Sequence, residues 1–182
     1  EMGELGFMGL VVPEAYGGLE LDKVTSVLAA DRMGAAGAFS VAYSAHSGIG
    51  TLPLVYYGTA AQKDRYLGKI ASGEWSAAYC LTEPGAGSDA MGGTTTAVLS
   101  PDGKHYLLDG TKQFITNGCG DLCVVLARSE AGSKGLAGLS LFLVPRSQGG
   151  HDNYTVARPE DKLVIRGSAT CELAFDGSRG EL

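Results

Sequence analysis

The chain has 182 residues, enough for one large domain or two small ones. Its content of 45% apolar and 19% charged residues suits a core-forming chain and excludes a disordered one. A formal charge of −6, with the charges scattered and no basic block, leaves no electrostatic case for binding nucleic acid or an anionic membrane.

No run approaches the roughly 18 apolar residues of a membrane-spanning helix. Glu1-Met2-Gly3-Glu4 is acidic where a secretory leader would be basic. The four cysteines, Cys80, Cys119, Cys123 and Cys171, fall within strand-like apolar runs. They read as free buried thiols, which points to a reducing compartment.

Residues 22–73 carry helical patterning. Asp22 can cap a stretch that places Val24, Val27 and Leu28 on one face. Two further stretches follow at residues 38–50 and 52–57, the second with Pro53 in its first turn and Gly58 beyond it. Thr59-Ala60-Ala61-Gln62 is a capping box, in which the Thr hydroxyl serves a free backbone N–H and the Gln reaches back. The helix after it stacks Lys63, Leu67 and Ala71 beside Tyr66 and Ile70, and Gly73 is its stop. Short connections predict antiparallel helical packing.

From Trp75 the period changes to two, with Trp75, Ala77, Tyr79 and Leu81 alternating with Ser76, Ala78, Cys80 and Thr82. Asp102-Gly103, Asp109-Gly110 and Asn117-Gly118 are hairpin signals, since both members of each pair tolerate positive φ. Strands are predicted over 122–128, 139–144, 154–157 and 171–175. Many short strands joined by tight turns define an antiparallel sandwich or barrel. The expectation is therefore an α+β chain, helical over 1–76 and β-barrel over 77–182.

The chemically informative stretch is Tyr79-Cys80-Leu81-Thr82-Glu83-Pro84-Gly85-Ala86-Gly87-Ser88-Asp89. A strand runs into a loop of small residues whose N–H groups can approach a ligand closely, with Thr82 and Ser88 adding hydroxyls. Gly85-x-Gly87-x-x-Ala90 loosely matches a dinucleotide fingerprint, but the β-prone Met91-Gly92-Gly93-Thr94-Thr95-Thr96 follows where that motif needs a helix. On its own, such a glycine cluster reads by default as a plain structural loop. A second segment, Lys112-Gln113-Phe114-Ile115-Thr116-Asn117-Gly118, puts an aromatic and a hydroxyl two residues apart on one strand face. That pair suits a flat heteroaromatic cofactor needing a stacking surface and a hydrogen bond. Phe114 taken alone would be a core residue.

Together the two segments resemble the acyl-CoA dehydrogenase family: the first matches its signature and the second its other flavin-contacting strand. Phe7–Gly18, with Val12-Pro13-Glu14-Ala15-Tyr16-Gly17-Gly18, looks like the family's early loop, and the stretch from Asp161-Lys162-Leu163 to Phe175 like the end of its middle β domain. The resemblance implies FAD as cofactor and a helical, β-barrel, four-helix order of domains. It places Tyr79, Leu81 and Thr82 along the flavin, and Gly87 and Ser88 where pyrophosphate and ligand meet, with Ser88 also at the acyl-CoA substrate. It sets Phe114 beside the flavin ring, Ile115 in the same strand, and the Thr116 hydroxyl at flavin N5. The implied reaction turns an acyl-CoA thioester into a trans-2-enoyl-CoA, with electrons passing to electron-transfer flavoprotein. A homo-oligomer in the bacterial cytoplasm or mitochondrial matrix is implied as well.

No catalytic residue is assigned, because the family's glutamate base lies in the third domain, and Asp176-Gly177-Ser178-Arg179-Gly180-Glu181-Leu182 does not continue as the family's linker. Glu83, Glu14 and Asp89 read as loop-shaping residues, Glu83 by accepting backbone hydrogen bonds. His46, His105 and His151 lack metal-ligand spacing, so no metal is expected, and Cys119-x-x-x-Cys123 is too wide for a redox motif. Two departures stand out: Val164 replaces an expected glycine, and the loop 117–122 is one residue short. The chain alone is expected to be inactive. A related flavin oxidase and a short non-catalytic binding module of the same fold are the alternatives.

Overall fold

A computed structural model describes residues 1–148 and 150–182 of the chain. They fall into two units, Glu1–Ala78 with Lys162–Ser168, and Tyr79–Asp161 with Ala169–Leu182.

In the first unit the Asp22 carboxylate accepts the Thr25 N–H at 2.9 Å and starts helix α1 (Lys23–Met33). Helix α2 (Ala38–Ser44) runs on into a wide π-type turn over Ala45–Gly50, and α3 (Leu52–Tyr57) follows. Helix α4 (Ala60–Ser72) opens on the expected box: Gln62 N–H donates to the Thr59 hydroxyl, and Thr59 N–H donates to the Gln62 side chain. Gly73 ends it in the left-handed conformation. Leu54, Leu67 and Ile70 are fully enclosed, each worth about 1.5–3 kcal/mol of burial.

His46 ties this unit together from inside. Its Nδ1 accepts the Ala77 N–H at 3.1 Å, so Nε2 must carry the proton it donates to the Ile70 carbonyl at 3.2 Å. Burial pushes its pKa down and keeps the ring neutral.

The structure departs from the sequence pattern in three places. Val24, Val27 and Leu28 share a face of α1, but that face is exposed, Val24 to 70%. Val27 instead edges an open apolar cavity of about 220 Å³ with Leu10, Tyr43 and Leu52. Residues 162–168, expected in the β domain, group with the helices. Gly167 stands close enough to Ala38 that an added Cβ would lie 3.1 Å from the alanine's. The bulk of Val164 meets no tight place, since the side chain is exposed; the constrained position is its neighbour Ile165, a β-branched residue at φ +49°.

The second unit is built on β1 (Ala77–Cys80), which crosses the boundary, β2 (Thr96–Leu99), β3 (Tyr106–Thr116), β4 (Leu122–Arg128) and β5 (Leu139–Pro145). The short pair β6 (Ser147–Gln148) and β7 (His151–Asp152) precedes β8 (Thr155–Pro159) and β9 (Thr170–Gly180). The main sheet runs β1-β4-β2-β3-β9-β8, with β5 on β4. Pairs β2–β3, β3–β9, β4–β5 and β8–β9 are antiparallel, and β2 touches β4 in parallel at Thr96 and Arg128. Leu143 and Glu181 then exchange two backbone hydrogen bonds of 2.8 and 2.9 Å, so the sheet curls until β5 meets the end of β9. The β-domain expectation holds, with Leu108, Phe142, Val144 and Leu173 filling the interior.

Asp102-Gly103 makes the β2–β3 turn, with Gly103 at φ +68°. Asp109-Gly110 does not turn the chain. It lies inside β3 as a bulge, where the pairing with β9 shifts between Leu108 and Gly110. Gly110 takes φ +151°, and an added Cβ would come within 2.6 Å of Thr95. The Asp109 carboxylate accepts the Gly177 N–H across the strand pair at 2.8 Å, which fixes the bulge.

Candidate functional site

Both motif segments lie in the second unit, side by side. Gln113 N–H donates to the Thr82 carbonyl at 2.8 Å, which sets the loop after β1 against the end of β3.

A buried ion pair holds that contact. Lys112, about 1% exposed, donates from Nζ to the Leu81 carbonyl at 3.0 Å and to Glu83 Oε1 at 2.9 Å. Glu83 Oε1 also accepts the Thr95 N–H, while Oε2 accepts the N–H and the hydroxyl of Thr94. Burial alone would raise the Glu83 carboxyl; the Lys112 ammonium and the backbone amides of Thr94 and Thr95 outweigh it and bring the pKa to about 2. Burial pulls Lys112 down in turn, opposed by the Glu83 charge, and with Glu83 anionic the pair stands as an ion pair at neutral pH. Every strong acceptor direction of Glu83 is used, so it shapes the loop and has no free lone pair with which to take a substrate proton. Reciprocal backbone bonds between Glu83 and Ala86 (3.0 and 3.1 Å) pin the Pro84-Gly85 turn.

Tyr79 is half-buried on β1, and burial pushes its phenol pKa up. Leu81 and Thr82 are half-buried beside it, while Gly87 and Ser88 stand exposed beyond the turn. A Cβ added at Gly87 would meet only Thr82 Cγ2, at 3.9 Å, so the backbone there is open to approach. No hydrogen bond among the described residues joins Gly87 or Ser88 to residues 114–116.

Phe114 is not in regular strand conformation. The β3–β9 register slips between Lys112 and Ile115, and Phe114 sits at φ +59° with 58% of its surface exposed. A bulky residue in the left-handed region costs on the order of 1–3 kcal/mol, and here it turns the ring outward to solvent. Ile115, about 2% exposed, points into the core, so only its backbone is available to a ligand. Thr116 is half-buried and pairs with Thr170 on β9. The hydroxyls of Thr82, Ser88 and Thr116 make no hydrogen bond among the described residues.

These features fit a flat, polar-edged cofactor: an outward aromatic ring, unspent hydroxyls, and a glycine loop with room for close approach. Sequence reasoning missed Lys112 as the residue that aligns the two segments. No local signal marks it, because its acidic partner Glu83 lies 29 residues earlier and meets it only through the sheet. Cys119, expected to be buried, is exposed on the turn after β3 because Asn117-Gly118 ends the strand there; Cys80, Cys123 and Cys171 are buried thiols. His105 lies near Ser100 and Asp102, the side chain of His151 lies outside the described residues, and no cluster of three metal-ligating side chains occurs among those described. No described helix is long and apolar enough to cross a membrane.

A helical unit followed by a curled β unit carrying this paired motif defines an acyl-CoA dehydrogenase-like architecture. Residues 1–74 match the acyl-CoA dehydrogenase N-terminal domain and residues 78–178 the middle domain, and the chain belongs to the acyl-CoA dehydrogenase family. A probable acyl-CoA dehydrogenase of Bacillus subtilis (strain 168) is 49% identical over 175 residues, covering 96% of this chain and 28% of its own length. The crystal structure of an acyl-CoA dehydrogenase complexed with FAD from Bacillus anthracis superposes with a TM-score of 0.90 at 42% identity, over 98% of this chain and 30% of that one. Butyryl-CoA dehydrogenase from Megasphaera elsdenii gives a TM-score of 0.87 at 34% identity, over 99% of this chain and 48% of that one. The chain thus spans less than half the length of these relatives.

Proposed function

We propose that this chain is the flavin-holding part of an FAD-dependent dehydrogenase that converts an acyl-CoA thioester to a trans-2-enoyl-CoA. The carrying observation is the hydrogen bond that sets Thr82 against Gln113, beside which the Phe114 ring is exposed and the hydroxyls of Thr82, Ser88 and Thr116 have no hydrogen-bond partner among the described residues.

FAD, when bound, supplies the acceptor for the two electrons withdrawn from the substrate. The chain's own residues hold it. Tyr79, Leu81 and Thr82 line one side, with the Thr82 hydroxyl toward the pyrimidine edge. Phe114 offers its ring, Ile115 its backbone, and the Thr116 hydroxyl a hydrogen bond at N5. Gly87 allows the loop backbone close to the pyrophosphate, and Ser88 serves both that group and the acyl-CoA. The buried pair of Lys112 and Glu83 positions the loop and moves no proton. The whole protein passes its electrons to an electron-transfer flavoprotein, and the acyl-CoA is its other small-molecule partner. The setting is the bacterial cytoplasm or the mitochondrial matrix.

The test is Thr116→Val, which removes one hydroxyl and conserves volume. FAD is expected to bind more weakly, by about tenfold for one lost hydrogen bond, or to change its reduction potential. Unchanged affinity together with an unchanged potential would place the hydroxyl away from N5.

A further inference from the structure

Cys119 and Cys171 are not among the residues proposed to hold the flavin. Cys171 lies on β9, paired with Ile115 on β3. The chain then turns back over it: Gly118 N–H donates to Ile115, and a Cβ added at Gly118 would lie 3.0 Å from the Cys171 Cβ. Cys119, one residue on, lies close enough for its thiol and its backbone N–H to act on the Cys171 thiol.

The turn is anchored on its far side. Tyr154 Oη donates to the Gly120 carbonyl at 3.0 Å, with the Gly118 carbonyl at 3.4 Å, and Arg146 Nη1 donates to the Cys119 carbonyl at 2.9 Å. Cys119 is exposed and Cys171 buried beneath it. An accessible thiol resting on an inaccessible one, in a turn fixed at three carbonyls, is the arrangement of an attacking and a resolving cysteine.

We propose that Cys119 and Cys171 are an oxidation site that closes to an intramolecular disulfide when hydrogen peroxide reaches Cys119. In the first step the Cys119 sulfur attacks one peroxide oxygen; an S–O bond forms, the O–O bond breaks, and hydroxide leaves and takes up the thiol proton as water. The Cys171 sulfur then attacks Cys119 Sγ, losing its proton as the S–S bond forms and the S–O bond breaks, and a second water leaves. Two thiols are oxidised by two electrons, and one peroxide is reduced to two waters.

Exposure sets the order of events: Cys119 is open to the oxidant and Cys171 is enclosed, so Cys119 is oxidised first and Cys171 resolves; burial also pushes the Cys171 thiol up to about 11. A disulfide bridges Cα atoms roughly 4.4–6.8 Å apart, and the turn that carries Cys119 passes directly over Cys171, with a Cβ added at Gly118 only 3.0 Å from the Cys171 Cβ. The bond would tie the turn to β9 three residues beyond Thr116. Cys80 and Cys123, neighbouring thiols that are fully enclosed, provide an internal control.

The test treats the folded protein with hydrogen peroxide, blocks residual thiols, and digests without reduction using trypsin and a protease cutting before aspartate. Cleavage before Asp121 separates Cys119, on residues 113–120, from Cys123, on residues 121–128. The expected product joins residues 113–120 to the peptide that carries Cys171, is lighter by two hydrogens, and separates on reduction. Cys119→Ser should abolish it, while Cys123→Ala leaves it intact. Cys171→Ser should let the Cys119 sulfenic acid accumulate and be trapped by a dione probe. A wild-type protein in which Cys119 is oxidised while Cys171 stays free would overturn the proposal. A bond from Cys119 to Cys123, or to Cys119 of another molecule, would overturn it equally.

Discussion

Glu83 shows what a single residue's environment decides. Its loop-shaping role was legible, because a glutamate before proline at a strand end reads as a backbone acceptor, and the backbone amides of Thr94 and Thr95, just before β2, do donate to it. Its partner was not legible. Nothing local marks Lys112 as buried, since the acid that permits its burial lies 29 residues earlier and reaches it only through the sheet. Removing one partner strands a charge, so Glu83→Gln should destabilise by about 3–5 kcal/mol in urea unfolding. The double variant Glu83→Gln/Lys112→Met should recover much of that loss. The acid response follows from the depressed Glu83 pKa, about 2 against an ordinary 4.5. Stability from the carboxylate is fully present above about pH 4.5 and is lost as pH falls toward 2. The wild-type unfolding midpoint should therefore fall more steeply across that window than the double variant's.

Among the elements, the legible features were those in which cause and effect lie within a few residues. The caps of α1 and α4 are of that kind: Asp22 and Thr59 bond to amides three positions on. Thr59→Ala should cost about 1 kcal/mol in thermal unfolding, a typical value for a lost N-cap. Asp109-Gly110 was misread as a hairpin because the dipeptide's tolerance of positive φ serves a bulge as well as a turn; the neighbouring Thr95 and the partner strand β9 decide between them. Gly110→Ala would force both the backbone conformation and the contact with Thr95, and should cost about 1–3 kcal/mol or more, measured by urea unfolding. The apolar face of α1 was legible as a pattern while its exposure was not, since amphipathicity marks a face without naming what covers it. Phe114 taken alone reads as a core residue, whereas the structure leaves 58% of it exposed. The left-handed φ that turns it outward depends on a register slip against β9.

Over the whole chain, the change of hydrophobic period near residue 75 located the passage from helices to strands, and the clustering of contacts parts the chain at Ala78 and Tyr79. The return of residues 162–168 to the helical unit could not be read, because it rests on contacts such as that of Gly167 with Ala38. All the residues proposed to hold the flavin lie in the second unit, so its own backbone should report the cofactor's arrival. Amide hydrogen–deuterium exchange of the purified protein, with and without saturating FAD, tests this most directly. The expected result is slowed exchange over residues 79–88 and 113–118, with α4 unchanged. Protection confined to other segments, or none at all with FAD present, would contradict the assignment of these two strands as the flavin site.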